Sequence, residues 1–394
     1  MKIAISGAGI GGAALAYWLL RAGHEPTLIE KAPHPRGGGY MIDFWGLGYT
    51  IAERMGILPA VRSAGYSVRE VRFVDGKGRR SGGFSADVFH DALNNRFISL
   101  PRGRLAMEVF RSIEGRVETI FDESIATLSE CRDGVDVVFG HGLPRRFDLV
   151  VGADGLHSTV RKLVFGPESR FERDVGYRVA AFEVDGYRPR DELVYVSHTE
   201  PGRQISRFAE RHERTLFLFV FAAEHMPGPE PHDGMERRAT LRGVFGGMGW
   251  ETPHILAAME HVEDIYFDRV SQIEMPAWSK GRVALLGDAA ACVSLLAGEG
   301  CGLALTEAYV MAGELARARG DHVQAFAAYE ERLRSMIASR QASARKFAGA
   351  FAPRTAVGVW FRNQVTRLMN IPPLAELFLG RDLRDRMELP DYGI

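Results

Sequence analysis

The apolar positions divide the chain into short segments of contrasting period. Residues 2–6, KIAIS, predict a strand, and 13–22, AALAYWLLRA, predict a helix stopped by Gly23. Gly7, Gly9, Gly11 and Gly12 lie between them, and a second strand over 25–29 ends at Glu30. Apolar runs at 147–151 and 282–286 have the look of buried strands. The second leads into the small-residue stretch 287–302, GDAAACVSLLAGEGCG, and then the helical pattern of 303–315. Runs at 179–184, 193–196 and 215–221 predict further strands, the last apolar on both faces. Residues 36–46 predict an irregular extended loop, because three successive glycines interrupt any period there. Helical spacing returns over 321–346. It recurs in Val357, Phe361, Val365 and Leu368, with Trp360 and Gln364 beside them. That last stripe predicts a C-terminal helix packed by its apolar side over a sheet junction, with another apolar segment following at 374–379. Arg354, Arg362 and Arg367 nearby also leave open a helix lying on a membrane surface.

One stretch reads two ways. Residues 3–20 are uncharged between Lys2 and Arg21, which suits a signal or membrane segment. The clustered glycines weaken a helix there, whereas strand, turn and helix account for them, so no membrane span is expected. With 394 residues the chain has room for two domains or one large composite one. Its 46% hydrophobic and 25% charged content is that of an ordinary globular protein, and a net charge of -1 gives no basic field for nucleic acid. Cys131, Cys292 and Cys301 form no CxxC pair, which fits a reduced, cytoplasmic setting. The histidines show no ligand spacing, so no metal is expected.

Chemistry enters with the glycines. Gly7, Gly9 and Gly12 form G-x-G-x-x-G between a predicted strand and helix, and Glu30 closes the next strand. This is the dinucleotide fingerprint in its required context: a tight turn, close approach of backbone to pyrophosphate, and an acid for the ribose hydroxyls. It does not by itself separate FAD from NAD(P). Two more acids, Asp154 in 152–155 (GADG) and Asp288 in 287–290 (GDAA), sit just past buried strands, where ligands of doubly wound sheets collect.

The three motifs together, with Arg161 after GADG, resemble the single-component FAD-dependent aromatic hydroxylases, of which para-hydroxybenzoate hydroxylase is the prototype. Residues 36–43, 249–251, 266–268 and 278–282 further resemble the tetracycline-inactivating flavin monooxygenases. The resemblance implies an α/β fold: a discontinuous Rossmann-like FAD-binding domain (1–70, 100–175, 277–345), an inserted mixed or antiparallel β-sheet substrate domain (71–99, 176–276), and C-terminal helices (346–394). It implies that Glu30, with Lys31 beside it, holds the adenosine ribose, and that Ile125 offers backbone to adenine. Arg102 and Asp43 lie at the cofactor, Asp288 binds its ribityl or pyrophosphate part, Asp154 supports the FAD and nicotinamide side, and Arg36 serves the nicotinamide donor. Gly298, Gly300, Cys301 and Gly302 then bring backbone amides to the flavin edge at a helix start, where partial positive charge steadies the reduced ring. Phe208, Phe217, Phe219 and Phe221 are expected to line the substrate cavity.

The implied activity is hydroxylation of a phenolic, polycyclic or other electron-rich molecule. NADH or NADPH supplies electrons, O2 supplies the oxygen through a C4a-hydroperoxide, and no protein nucleophile is required. Monomer or weak dimer is the expected state. A flavin dehydrogenase or reductase, or a non-catalytic ligand-sequestering flavoprotein, remains open. The departures concern the last motif: the family pattern of histidine, proline, glutamine and asparagine is here Ala291, Leu295, Glu299 and Gly302. Glu299 adds a negative charge near the ring, which disfavours reduction unless it is protonated or turned away.

Overall fold

The computed structural model describes residues 1–35, 38–371 and 387–394. Strand Lys2–Ser6 lies between Glu25–Ile29 and Leu149–Gly152, with Glu118–Ile120 and Val283–Leu285 flanking them, all parallel. Strand Ser279–Lys280 closes one edge antiparallel. Parallel strands share a carboxyl end, so Gly7, Glu30, Asp154 and Asp288 all emerge along one rim of the sheet. The apolar run at 147–151 is split at Asp148: Arg145–Phe147 pairs with Gly134–Phe139 in a separate antiparallel ribbon, and Leu149–Gly152 joins the parallel sheet. Helices Ile10–Arg21 and Gly300–Arg317 pack against each other, with Ala13, Ala14, Leu15 and Ala16 fully buried.

The loop expected over 36–46 is corrected in its second half. Met41–Trp45 is a strand paired antiparallel with Phe97–Pro101, because Ile42 and Phe44 alternate into the core while Met41, Asp43 and Trp45 face outward from it.

A second, seven-stranded sheet runs in the order Tyr266–Ile273, Glu172–Asp185, Arg214–Ala222, Arg203–Ala209, Val194–Glu200, Glu70–Val74, Arg80–Ser85. One face carries Phe182, Ile205, Phe217, Phe219 and Phe221 against helices Gly234–Phe245 and Thr252–Met259. The other face turns toward the first sheet. There Tyr266, Ala181, Leu218, Ser206 and Ser197 stand side by side across five strands.

Helix His322–Phe351 spans 30 residues and links the two parts. Helix Ala356–Leu368 corrects the expectation of an inward apolar stripe. Asn363 and Thr366 are its buried positions, whereas Val357, Trp360 and Phe361 are more than 60% exposed. The reason is the edge strand beneath. Gly83 N–H donates to Thr366 Oγ1 (3.1 Å), Ser85 N–H to Asn370 Oδ1 (2.9 Å), and Asn370 Nδ2 returns a bond to the Gly83 carbonyl (3.1 Å). An unpaired edge demands polar partners, and the helix turns its polar side inward to supply them. The segment 374–379 lies outside the described residues. Among the described residues no helix is long and apolar enough to cross a membrane.

Candidate active site

Gly7 leaves its strand at φ +101°, in the left-handed region, and a Cβ there would come 2.6 Å from the Ala153 carbonyl oxygen. A Cβ on Gly12 would strike the Gly7 carbonyl at 1.9 Å, yet one on Gly9 meets nothing within 4 Å among the described residues. The turn is therefore closed behind and open in front. Gly9 is also the N-cap of helix Ile10–Arg21 and makes no side-chain cap bond, so the first helical N–H groups face that opening. A pyrophosphate fits this cradle.

Glu30 accepts from Ala8 N–H (2.9 Å) and Ala32 N–H (2.9 Å), which fixes its carboxylate beside the cradle. Its own carbonyl accepts from Glu123 N–H (3.1 Å), and two residues on, buried Ile125 begins the next strand. Glu30 and Ile125 thus meet at one end of the rim, with Lys31 exposed next to them. Arg36 lies outside the described residues.

Asp154 is committed to local order. It accepts from Ser158 Oγ (2.5 Å), Thr159 N–H (2.8 Å) and Val160 N–H (3.2 Å), fastening the start of helix Thr159–Val164. Arg161, fully buried, donates to the Ala289 carbonyl (3.1 Å), the Leu156 carbonyl (2.5 Å) and Glu168 (2.7 Å). Through Arg161 the GADG loop holds the GDAA turn.

Asp288 is the first residue of the short helix Asp288–Ala291, whose N-cap is Gly287 and which has no side-chain cap bond. It is not a capping aspartate. Burial pushes its carboxyl up, against the pull of Arg102 and a bond from Cys292. Gly287, at φ +64°, donates its N–H to Glu307 Oε2 (2.6 Å), and Tyr329 Oη donates to the same oxygen (3.1 Å). Burial carries the Glu307 carboxyl up to about 7. Glu307 and Tyr329 therefore set the turn that presents Asp288, and nothing in their sequence context signals it.

Arg102 opens helix Arg102–Arg111 and is surrounded by Cys301, Tyr40, Asp288 and Tyr266. Enclosure works against its charge, but these acidic neighbours hold the guanidinium above its ordinary value. Burial raises the Cys301 thiol to about 11, with Arg102 opposing. Asp43 accepts from Ser99 Oγ (2.5 Å), and burial raises its carboxyl. The Tyr40 and Tyr266 rings stand 6.0 Å apart, one from each part of the protein, and burial raises both phenols. Tyr40 and Tyr266 lie in the stretches 36–43 and 266–268 that carry the resemblance, but nothing in the sequence gives either a place at the cleft.

Gly298 is left-handed at φ +70°, and a Cβ on Gly300 would come 3.7 Å from Asp288 Oδ1. A Cβ on Gly48 would fall 2.3 Å from Gly302 Cα, so the start of helix Gly300–Arg317 is pressed against Gly48. Glu299 pairs with Arg340 on helix His322–Phe351, Nε to Oε2 at 3.1 Å. That pairing sets a cation against the charge that its sequence adds.

The four phenylalanines divide. Phe217, Phe219 and Phe221 have no exposed surface and pack with Leu241 and Phe245, so the cavity expectation fails for them. Strand alternation put all three on the helix-covered face. Phe208 is on the cleft side but is roofed by Tyr66 (5.3 Å) and Tyr195 (4.6 Å). The accessible wall is instead Leu218 and Tyr266.

Comparison with known proteins agrees with this geometry. Residues 114–346 match the family described as "FAD binding domain", and residues 5–58 match "NAD(P)-binding Rossmann-like domain". A protein named "Flavin-dependent monooxygenase", from an unknown prokaryotic organism, is 33% identical over 348 residues, covering 86% of this chain and 87% of its own length. The crystal structures of tetracycline destructases Tet(51) and Tet(55) are each 31% identical and superpose with TM-scores of 0.83 and 0.84. Each covers 99% of this chain, and the match takes in 99% and 98% of their lengths.

Proposed function

This chain belongs to the FAD-dependent monooxygenases, and on that premise we propose that it hydroxylates a phenolic or polycyclic organic molecule with NADH or NADPH as donor. The observation that carries this reading is the meeting of Arg102, Tyr40, Asp288 and Cys301 at the Gly300–Arg317 helix start beneath the wall of Leu218 and Tyr266. Bound there, FAD supplies the hydride acceptor and the oxygen activation.

The chain's own residues do the rest. The open face of Gly9 and the adjoining helix start take the pyrophosphate, Glu30 the ribose, and Asp288 the ribityl hydroxyls. The N–H groups at Gly300–Gly302 present partial positive charge to the ring edge. Glu299, neutralised by Arg340, does not cancel that field. Tyr40 and Tyr266 exclude water above Arg102. Three free thiols suit a cytoplasmic setting. The destructase neighbours place tetracyclines among the first compounds to try.

The test is a panel of phenols and tetracyclines scored for stimulated NADPH oxidation by the yellow holoprotein, followed by 18O2 labelling. Stimulated oxidation with label in the product supports the proposal. Peroxide release with no labelled product overturns it in favour of a dehydrogenase or reductase.

A further inference from the structure

Arg362 projects from the inward side of helix Ala356–Leu368 onto the cleft-facing side of the seven-stranded sheet. Its Nη1 donates to Gln204 Oε1 (2.9 Å) and the Phe351 carbonyl (3.1 Å), its Nη2 to Thr199 Oγ1 (2.9 Å), and its Nε to Asn363 Oδ1 (3.1 Å). The guanidinium carbon stands 3.9 Å over the Phe73 ring. All four acceptors are neutral, and among the described residues one Nη2 N–H takes up none of these bonds. Among the described residues no carboxylate forms an ion pair with it. Burial alone draws its pKa down to about 10. Elsewhere in the same sheet the buried arginines are matched: Arg207 holds both Asp191 and Glu251, and Arg178 holds Asp174 and Glu230.

A half-buried guanidinium with no counter-charge among the described residues is costly, and a helix anchor needs no charge to bond a glutamine and a threonine. The location gives the charge a use. Gln204 also donates to Ser206 Oγ (3.4 Å), and Ser206 is the cross-strand neighbour of Leu218 in the row that ends at Tyr266. Strands lie ~4.8 Å apart, so the three steps from the Tyr266 strand to the Gln204 strand span about 14 Å. That is the reach of a fused-ring or elongated aromatic molecule, not of a single phenol.

Resting on the monooxygenase reading above, we infer that Arg362 is the far end of the substrate site and takes an anionic oxygen (a carboxylate or an acidic enolate) of an extended aromatic substrate. The ring to be oxidised then lies at the Tyr40–Tyr266 end, and the acid selects molecules by length and charge together. Thr199 and Gln204 orient the guanidinium so that its free N–H faces the incoming group.

The experiment is equilibrium binding to the FAD-loaded protein, without nicotinamide, of anthracene-2-carboxylate and its neutral carboxamide. Wild type should bind the acid at least tenfold more tightly. Arg362→Gln should erase that preference while leaving the carboxamide unchanged. Arg362→Lys keeps the charge on a differently shaped head, and it should keep part of the preference; it also serves if the glutamine variant does not fold. Equal binding of acid and amide to wild type overturns the inference, as does an Arg362→Gln variant that weakens both alike, which is the mark of a helix anchor. Because no turnover is measured, a failed oxygenation assay would leave this result standing, and a failed binding assay would leave the oxygenation reading standing.

Discussion

Glu210 offers a test in which sign and size both come from the structure. It follows strand Arg203–Ala209 and is only 1% exposed, and among the described residues neither carboxylate oxygen has a hydrogen-bond partner. The nearest cation, Arg214, is 3.8 Å away and is bonded to Glu183 at 3.1 Å. Burial, reinforced by Glu183, raises the carboxyl from 4.5 to about 7, with Arg214 and Arg104 opposing. The folded protein therefore holds this proton more tightly than the unfolded chain. Stability is unaffected by Glu210 well below pH 4.5, falls as pH rises toward 7, and bears the full cost above. At roughly 1.4 kcal/mol per pH unit, the full cost is about 3 kcal/mol. Glu210→Gln removes the ionisation but keeps the shape. Urea unfolding of wild type and variant should give a stability difference that grows in the variant's favour by about 2 to 3 kcal/mol between pH 4.5 and pH 8.5. A difference that does not change with pH would refute the reasoning, since it would mean that Glu210 remains ionised and is paid for by solvent or Arg214.

Other consequences are more local. Arg340→Gln should remove the cation paired with Glu299 and lower the flavin midpoint potential by ~30 mV, about 1.4 kcal/mol for two electrons; the double variant with Glu299→Gln should recover it in a spectroelectrochemical titration. Glu307→Ala frees the Gly287 N–H, and FAD affinity measured by fluorescence should fall about tenfold, the equivalent of one buried hydrogen bond to a charged or polar group. Phe219→Ala should cost about 3 to 5 kcal/mol in urea unfolding yet leave substrate KM unchanged, because the ring fills core and not cleft.

Much of the cofactor side was legible in the chain alone. A Gly-x-Gly-x-x-Gly turn between a strand and a helix has few geometries open to it, so Gly7, Gly9, Gly12 and Glu30 could be placed from order and spacing. Acids at strand ends could be paired with that rim because parallel strands share a direction. What the chain could not display were relations between faces. A strand apolar on both sides, such as Arg214–Ala222, does not say which side meets the cleft, and only the helices stacked on Phe217, Phe219 and Phe221 decided it. The stripe of helix Ala356–Leu368 predicted burial of the wrong side, since periodicity registers apolar surface and not the unmet hydrogen bonds of a distant edge strand. Glu299 was a charge of unknown effect until helix His322–Phe351 brought Arg340 to it. Local sequence fixes a backbone turn because the residues that shape it are neighbours; which charge meets which depends on contacts between segments far apart in the chain, and these exist only once the two sheets have closed on each other.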